Sequence, residues 1–153
     1  MILAIDPGPT ESAYLKMRDG KIIDFAKVEN LLLLDLINAD KGFISHIVCE
    51  EIRCFMMRVG SPVFDTARWS GRYEQLSHQY SIPFYFVGWK EVSYYWCGSR
   101  QAKDPDLRAA LISFYGQPGI KKSPGPTYNI KNYDVWSALA IAGYWHAKQN
   151  GQV

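Results

Sequence analysis

The opening stretch MILAIDPGPT constrains this chain more than any other. Ile2–Ile5 is an apolar run suited to a buried strand, Asp6 ends it, and Pro7-Gly8-Pro9 forces the chain to turn at once. A carboxylate at the mouth of a buried strand has two readings. It caps the turn by accepting backbone N–H groups, or it is one member of a metal site.

The pattern downstream sets the fold class. Ser12–Met17 alternates as a strand, Asp19-Gly20 is a hairpin turn signal, and Lys21–Val28 reads as a further strand. A helix follows over Glu29–Ala39, and His46–Ile52 has the apolar run of a central strand. Pro62 opens a long amphipathic helix through Tyr80, and Ile82–Val87 is the fifth strand. Trp89–Trp96 reads as a short aromatic helix. Asp104-Pro105 reads as an N-cap and first-turn proline, starting a helix that Gly116 stops. GQPGIKKSPGPTYNIK is a Pro/Gly-rich loop, and Tyr133–Lys148 is a strongly apolar helix. This is an α/β order with a mixed sheet, antiparallel first and parallel later. No repeat or composition break divides it, so one domain over 1–153 is expected.

Composition narrows the class. Of the 153 residues 48% are apolar and 21% charged, the balance of a globular protein rather than a disordered one. The Leu31–Leu34 run is too short to span a bilayer, and Asp6 interrupts any secretory signal, so a cytoplasmic protein without a membrane partner is expected. Cys49, Cys54 and Cys97 show neither a disulfide framework nor zinc spacing. Residues 1–76 carry nine Lys/Arg against eleven Asp/Glu, and residues 77–153 carry eight against four, so the second half has a modest basic surplus suited to a polyanion.

Three acids sit at the ends of regular elements. Asp6 closes the first strand, Glu50 closes the fourth in HIVCEEI with Glu51 as its neighbour, and Asp134 lies in the first turn of the last helix. If the first and fourth strands are adjacent, Asp6 and Glu50 stand side by side, and the final helix delivers Asp134. Carboxylates so gathered repel one another unless a divalent cation neutralises them. An oxygen-only donor set suits Mg²⁺ or Mn²⁺, and two such ions about 4 Å apart activate water and stabilise the leaving oxygen of a phosphodiester. Each acid also has an ordinary role: turn former, solvated strand end, or partner of the helix dipole. His46, His78 and His146 are placed away from this triplet, and none is expected to act as a general base.

ILAIDPGPTESAYL, VCEEI and DVWSALAIA together resemble the RuvC family of Holliday junction resolvases, within the RNase H-like superfamily. The likeness is nearest to small RuvC-like resolvases of phages and prophages. It extends through GSPVFDTARWSGRYEQL, CGSRQAKDPDLRAALISFYG and KKSPGPTYNIKNYDVWSALA, hence over nearly the whole chain. The resemblance implies an RNase H-like fold, a five-stranded mixed sheet of order 3-2-1-4-5 flanked by helices. It implies catalytic and metal-binding roles for Asp6, Glu50 and Asp134, and a homodimer cutting four-way DNA junctions with Mg²⁺ or Mn²⁺ and no organic cofactor. Ser137 departs from the pattern, standing where RuvC itself has a fourth acid. Three helical positions turn by about 60° in net facing, so Ser137 still faces the site, but a hydroxyl is a poorer ligand than a carboxylate. The second ion of a two-metal site is therefore expected to bind weakly.

The same resemblance places the loop RCFMMRVGS over the junction centre, with Phe55 or Met56 as a wedge between bases and Arg53 and Arg58 as further DNA-binding candidates; the other reading is a loop that covers the core, flanked by surface arginines. Arg100 and Lys103 before a helix, Lys121 and Lys122 in the Pro/Gly loop, and Lys131 beside Asp134 suit phosphate contacts. The helix after Pro62 is either a dimer surface or an internal packing element. The expected chemistry is in-line hydrolysis leaving 5′-phosphate and 3′-hydroxyl ends. A nuclease for RNA–DNA hybrid and a junction-binding protein of weak activity remain the alternatives.

Overall fold

The computed structural model describes residues 1–53 and 60–153. Its main sheet runs through β1 (Ile2–Asp6), β2 (Glu11–Arg18), β3 (Lys21–Glu29), β4 (His46–Glu50) and β5 (Phe84–Val87), in the order β3-β2-β1-β4-β5. The first three strands form an antiparallel meander, while β4 and β5 join β1 in parallel. This is the expected fold class and strand order. Parallel pairing requires crossovers. α1 (Asn30–Asp40) makes the first and α2 (Ser61–Gln79) the second, while α3 (Trp89–Cys97), α4 (Asp104–Tyr115) and α5 (Tyr133–Gln149) follow the sheet.

Alternation along the strands divides the core in two. Leu3, Ile5, Tyr14, Ile47 and Cys49 face α1 and α2, meeting Leu33, Ile37 and Tyr73. Ala4, Ala13, Leu15, Met17 and Val48 face the other way, onto the buried side of α5 with Trp136, Leu139 and Ala142. Asp6 and Glu50 follow this second alternation, so both belong to the α5 face.

The long helix after Pro62 divides its roles. Tyr73 is buried against the sheet and Trp69 packs on the same cluster, whereas Phe64 is exposed. Among the α3 aromatics, Trp89, Tyr95 and Trp96 pack against the core and Tyr94 is exposed. Cys49 and Cys97 are free thiols, Cys49 fully buried. Among the described residues, no helix is long and apolar enough to cross a membrane.

Local structure differs from expectation at several points. β4 stops at Glu50 rather than Ile52. The cap of α4 is Lys103, not Asp104, because the carboxylate that turns back is Asp106, accepting the Lys103 backbone N–H at 3.2 Å. The Pro/Gly-rich loop contains a small hairpin, β6 (Gly119–Ile120) with β7 (Ser123–Pro124), and Lys121-Lys122 form its turn.

Candidate active site

The Pro7-Gly8-Pro9 turn is not held by Asp6 but by residues brought from elsewhere. Ser12 Oγ accepts the Gly8 backbone N–H at 3.1 Å, and Asn30 Nδ2 donates to the Gly8 carbonyl at 3.0 Å. Ser12 and Tyr73 hydroxyls both donate to Asn30 Oδ1, at 2.7 and 3.0 Å, closing a buried network across β2, α1 and α2. Position 8 requires glycine, since a Cβ there would lie 2.2 Å from the Glu11 carbonyl oxygen. With the turn satisfied by others, the Asp6 carboxylate is released to the site.

Sheet register brings in the second acid. β1 and β4 run parallel with Ile5 opposite Cys49, and the next residues along the two strands are Asp6 and Glu50. Asp134 comes from α5, whose start is fixed by Asn132: its Oδ1 accepts the Asp134 backbone N–H at 2.9 Å. That cap sets the helix in register so that Asp134 and, one turn on, Ser137 both face Asp6. Ser137 lies near enough to Asp6 for its hydroxyl to favour the ionised carboxylate.

The electrostatics follow from this gathering. Burial pushes the Asp6 pKa well above the ordinary carboxylate range, and the negative charges of Glu50 and Asp134 push it further. Lys27 and the Ser137 hydroxyl pull in the opposite direction without cancelling the rise. Burial also lifts Glu50 to about 7. Burial, and at Asp6 the neighbouring charges as well, therefore favour the protonated acids unless further positive charge is brought to them.

Lys27 is the residue the sequence did not reveal. Its Nζ lies 2.6 Å from Asp134 Oδ2, and Asp134, Glu11 and Asp6 all favour its charged form. A single row across the sheet places it: Asp6 is opposite Ala13 on β2, and Ala13 is opposite Lys27 on β3. Directly opposed residues share a face, and the small Ala13 side chain separates the acid from the amine. Both partners of the Lys27–Asp134 pair are partly exposed, at 31% and 43% of their side chains. Pairs so exposed contribute about 1 kcal/mol or less.

Among the described residues, no group of three or more His, Cys, Asp or Glu side chains is arranged to hold a metal ion, and the cation on Asp134 is the Lys27 ammonium. The donor set nonetheless fits a hard divalent ion. Its atoms are carboxylate and hydroxyl oxygens, and the buried Asp6 is the group most relieved by added positive charge. Two depressions flank it. One of about 320 Å³ is lined by Asp6, Pro7–Glu11, Lys27 and Asp134. The other, of about 300 Å³, starts at Glu50 and is bounded by Arg53, Trp89 and Glu91.

The residues expected to bind DNA are dispersed. Arg53 is exposed and paired with Glu51, Nε to Oε2, at 2.5 Å. Arg100 lies over the Tyr94 ring at 5.9 Å, beside a wider depression shared with Lys90, Glu91 and Tyr144. Lys103, Lys121, Lys122 and Lys131 are exposed on loops or caps. Phe55, Met56 and Arg58 lie outside the described residues. Glu51 continues past β4, its backbone N–H bound to the Val87 carbonyl, and its carboxylate is held by Arg53 rather than turned to Asp6.

Three solved structures share this fold. Thermus thermophilus RuvC matches with a TM-score of 0.67 at 16% identity, covering 99% of this chain and 96% of that one. T. thermophilus RuvC in complex with a Holliday junction substrate gives 0.68 at 17% identity, with the same coverage. The yeast mitochondrial Holliday junction resolvase Ydc2 gives 0.66 at 13% identity, over 99% of this chain and 79% of that one. No protein-family profile matches the chain, and no curated protein matches it in sequence.

Proposed function

We propose that this chain is a divalent-metal-dependent endodeoxyribonuclease that resolves four-way DNA junctions. One observation carries the reading: a buried carboxylate at the end of β1 shares its surroundings with acids from β4 and α5, whose charges act on it. A stability-driven fold has no use for such an arrangement, since like charges that share a buried site oppose folding. The resolvase fold of the solved neighbours supports the same direction.

In this reading Asp6, Glu50 and Asp134 hold Mg²⁺ or Mn²⁺, with Ser137 a weaker oxygen beside Asp6. The divalent ion supplies the Lewis acidity that activates water and stabilises the leaving oxygen in phosphodiester hydrolysis. The rigid strand ends fix Asp6 and Glu50, and the Asn132 cap fixes Asp134, so the carboxylates need little reorganisation when substrate arrives. The exposed cations Arg100, Lys103, Lys121, Lys122 and Lys131 contact phosphates and set affinity rather than sequence choice. Products carry 5′-phosphate and 3′-hydroxyl ends. Symmetric cuts in two strands need two sites, so the chain acts on the junction as a homodimer.

A second reading, a junction-binding protein of weak catalysis, draws on Ser137 in place of a fourth acid and on Lys27 seated against Asp134. One assay separates the two. The protein is incubated with a labelled four-way junction, linear duplex or RNA–DNA hybrid, in Mg²⁺, Mn²⁺ or chelator. Paired nicks on the junction, dependent on metal and lost in Asp6→Asn with binding retained, establish the resolvase. Binding without nicks in either metal establishes the second reading, and cuts confined to the hybrid establish a ribonuclease.

A further inference from the structure

We infer that the Lys27 ammonium is a built-in counter-ion of the carboxylate site, displaced from Asp134 when a divalent cation binds and then free to hold the phosphate being cut. The inference rests on the nuclease reading for its second half only; the displacement concerns the protein and the cation alone.

Three observations converge. Lys27 Nζ sits 2.6 Å from Asp134 Oδ2, at the mouth of the depression that Asp6 and Asp134 both line. The row Asp6–Ala13–Lys27 fixes its strand position, so the amine is placed by the sheet and not by a loop. The pair is partly exposed on both sides, hence weak, while the acid beside it is buried. A weak ammonium–carboxylate contact on the outer ligand, next to a buried charge it satisfies poorly, gives way to a doubly charged ion bound by both acids. The released amine stays within its own side-chain reach of the site, beside Glu11 and Asp6. Its compact charge on a flexible stem suits a phosphate oxygen, to which its N–H groups donate.

The consequence is that Lys27 opposes metal binding in the free protein and assists cutting in the complex. A residue that merely supported the strand would affect both in the same sense. The test compares the parent chain, Lys27→Met and Lys27→Arg. Mn²⁺ affinity is measured by calorimetry without DNA, and single-turnover junction cleavage is measured at saturating Mn²⁺. Lys27→Met binds Mn²⁺ about five- to tenfold more tightly than the parent. The same variant cuts about 100-fold more slowly, while Lys27→Arg stays near the parent in Mn²⁺ affinity.

Equal or weaker Mn²⁺ binding by Lys27→Met overturns the displacement. Faster or unchanged cutting overturns the phosphate role. A second measurement needs no variant: the Lys27 side-chain ammonium resonance of the parent chain shifts on Mg²⁺ titration, and a resonance unmoved at saturation overturns the inference. A parent chain that cuts no DNA in either metal refutes the nuclease reading, while the Mn²⁺ and Mg²⁺ titrations still decide the displacement.

Discussion

Ser12 Oγ donates a 2.7 Å hydrogen bond to Asn30 Oδ1, joining β2 to the start of α1 under the Pro7–Pro9 turn. Asn30 is almost wholly buried and also donates to the Gly8 carbonyl. Replacing it with alanine leaves the Ser12 and Tyr73 hydroxyls without their shared acceptor and the Gly8 carbonyl without its donor. Asn30→Ala should lower unfolding stability by about 2–3 kcal/mol, read as a lower denaturant midpoint. The turn that presents Asp6 should loosen with it, so cleavage falls even where the variant remains folded.

Asp6→Asn removes a charge that burial and its neighbours disfavour. In chelator the variant should melt a few degrees higher than the parent, since a strained functional charge has been deleted. Its junction cleavage should fall about 100- to 1,000-fold or more. Scanning calorimetry with EDTA and a cleavage time course check the two halves. A variant that melts lower would show that Asp6 stabilises the fold, contrary to the site geometry.

Glu50 governs a pH effect. Burial holds its folded-state pKa at about 7, against an ordinary value of 4.5. The folded state then binds its proton more tightly than the unfolded state does. Stability conferred by the protonated form is full below about pH 4.5 and is lost as pH rises towards 7, on the order of 3 kcal/mol across that window. Asp6 acts in the same sense. Denaturation of the metal-free protein across this range should show the fall, and Glu50→Gln should remove the part of it that Glu50 contributes, leaving that of Asp6. Saturating Mg²⁺ should flatten the fall, by favouring the ionised forms.

Gly143 on α5 lies where a Cβ would come 2.4 Å from Tyr115 Oη and 2.6 Å from Trp96 Cζ2. Trp96 is further fixed by its Nε1 donating to the Ala140 carbonyl at 2.9 Å. Gly143→Ala should therefore force α3 and α4 outward and cost about 1–3 kcal/mol. A lower denaturant midpoint with unchanged slope would confirm it; an unchanged midpoint would mean that the aromatic ring and the tyrosine yield freely.

The elements that bear the acids were legible because hydrophobic runs that meet acids announce themselves: ILAI before Asp6, HIVC before Glu50, and the apolar helix that begins at Tyr133 and Asp134. Lys27 was not. A regular hairpin counted back from Arg18 opposite Lys21 would set Ala26 against Ala13. The register slips by one between Lys16 and Met17, so Lys27 takes that place and turns to the α5 face. A bulge of one residue leaves no compositional mark, and without it Lys27 reads as an ordinary solvent-facing strand lysine. Asn30 was hidden for a similar reason. Its partners Gly8, Ser12 and Tyr73 lie on other elements, and no local spacing relates them.

The Asn132 cap gives Asp134 its place only once α5 has docked on β1 and β2. During synthesis the sheet that bears Asp6 and Glu50 leaves the ribosome well before that helix does. A half-made chain thus holds two of these acids and no third. The full set of three acids therefore belongs to the finished fold and not to the sheet alone.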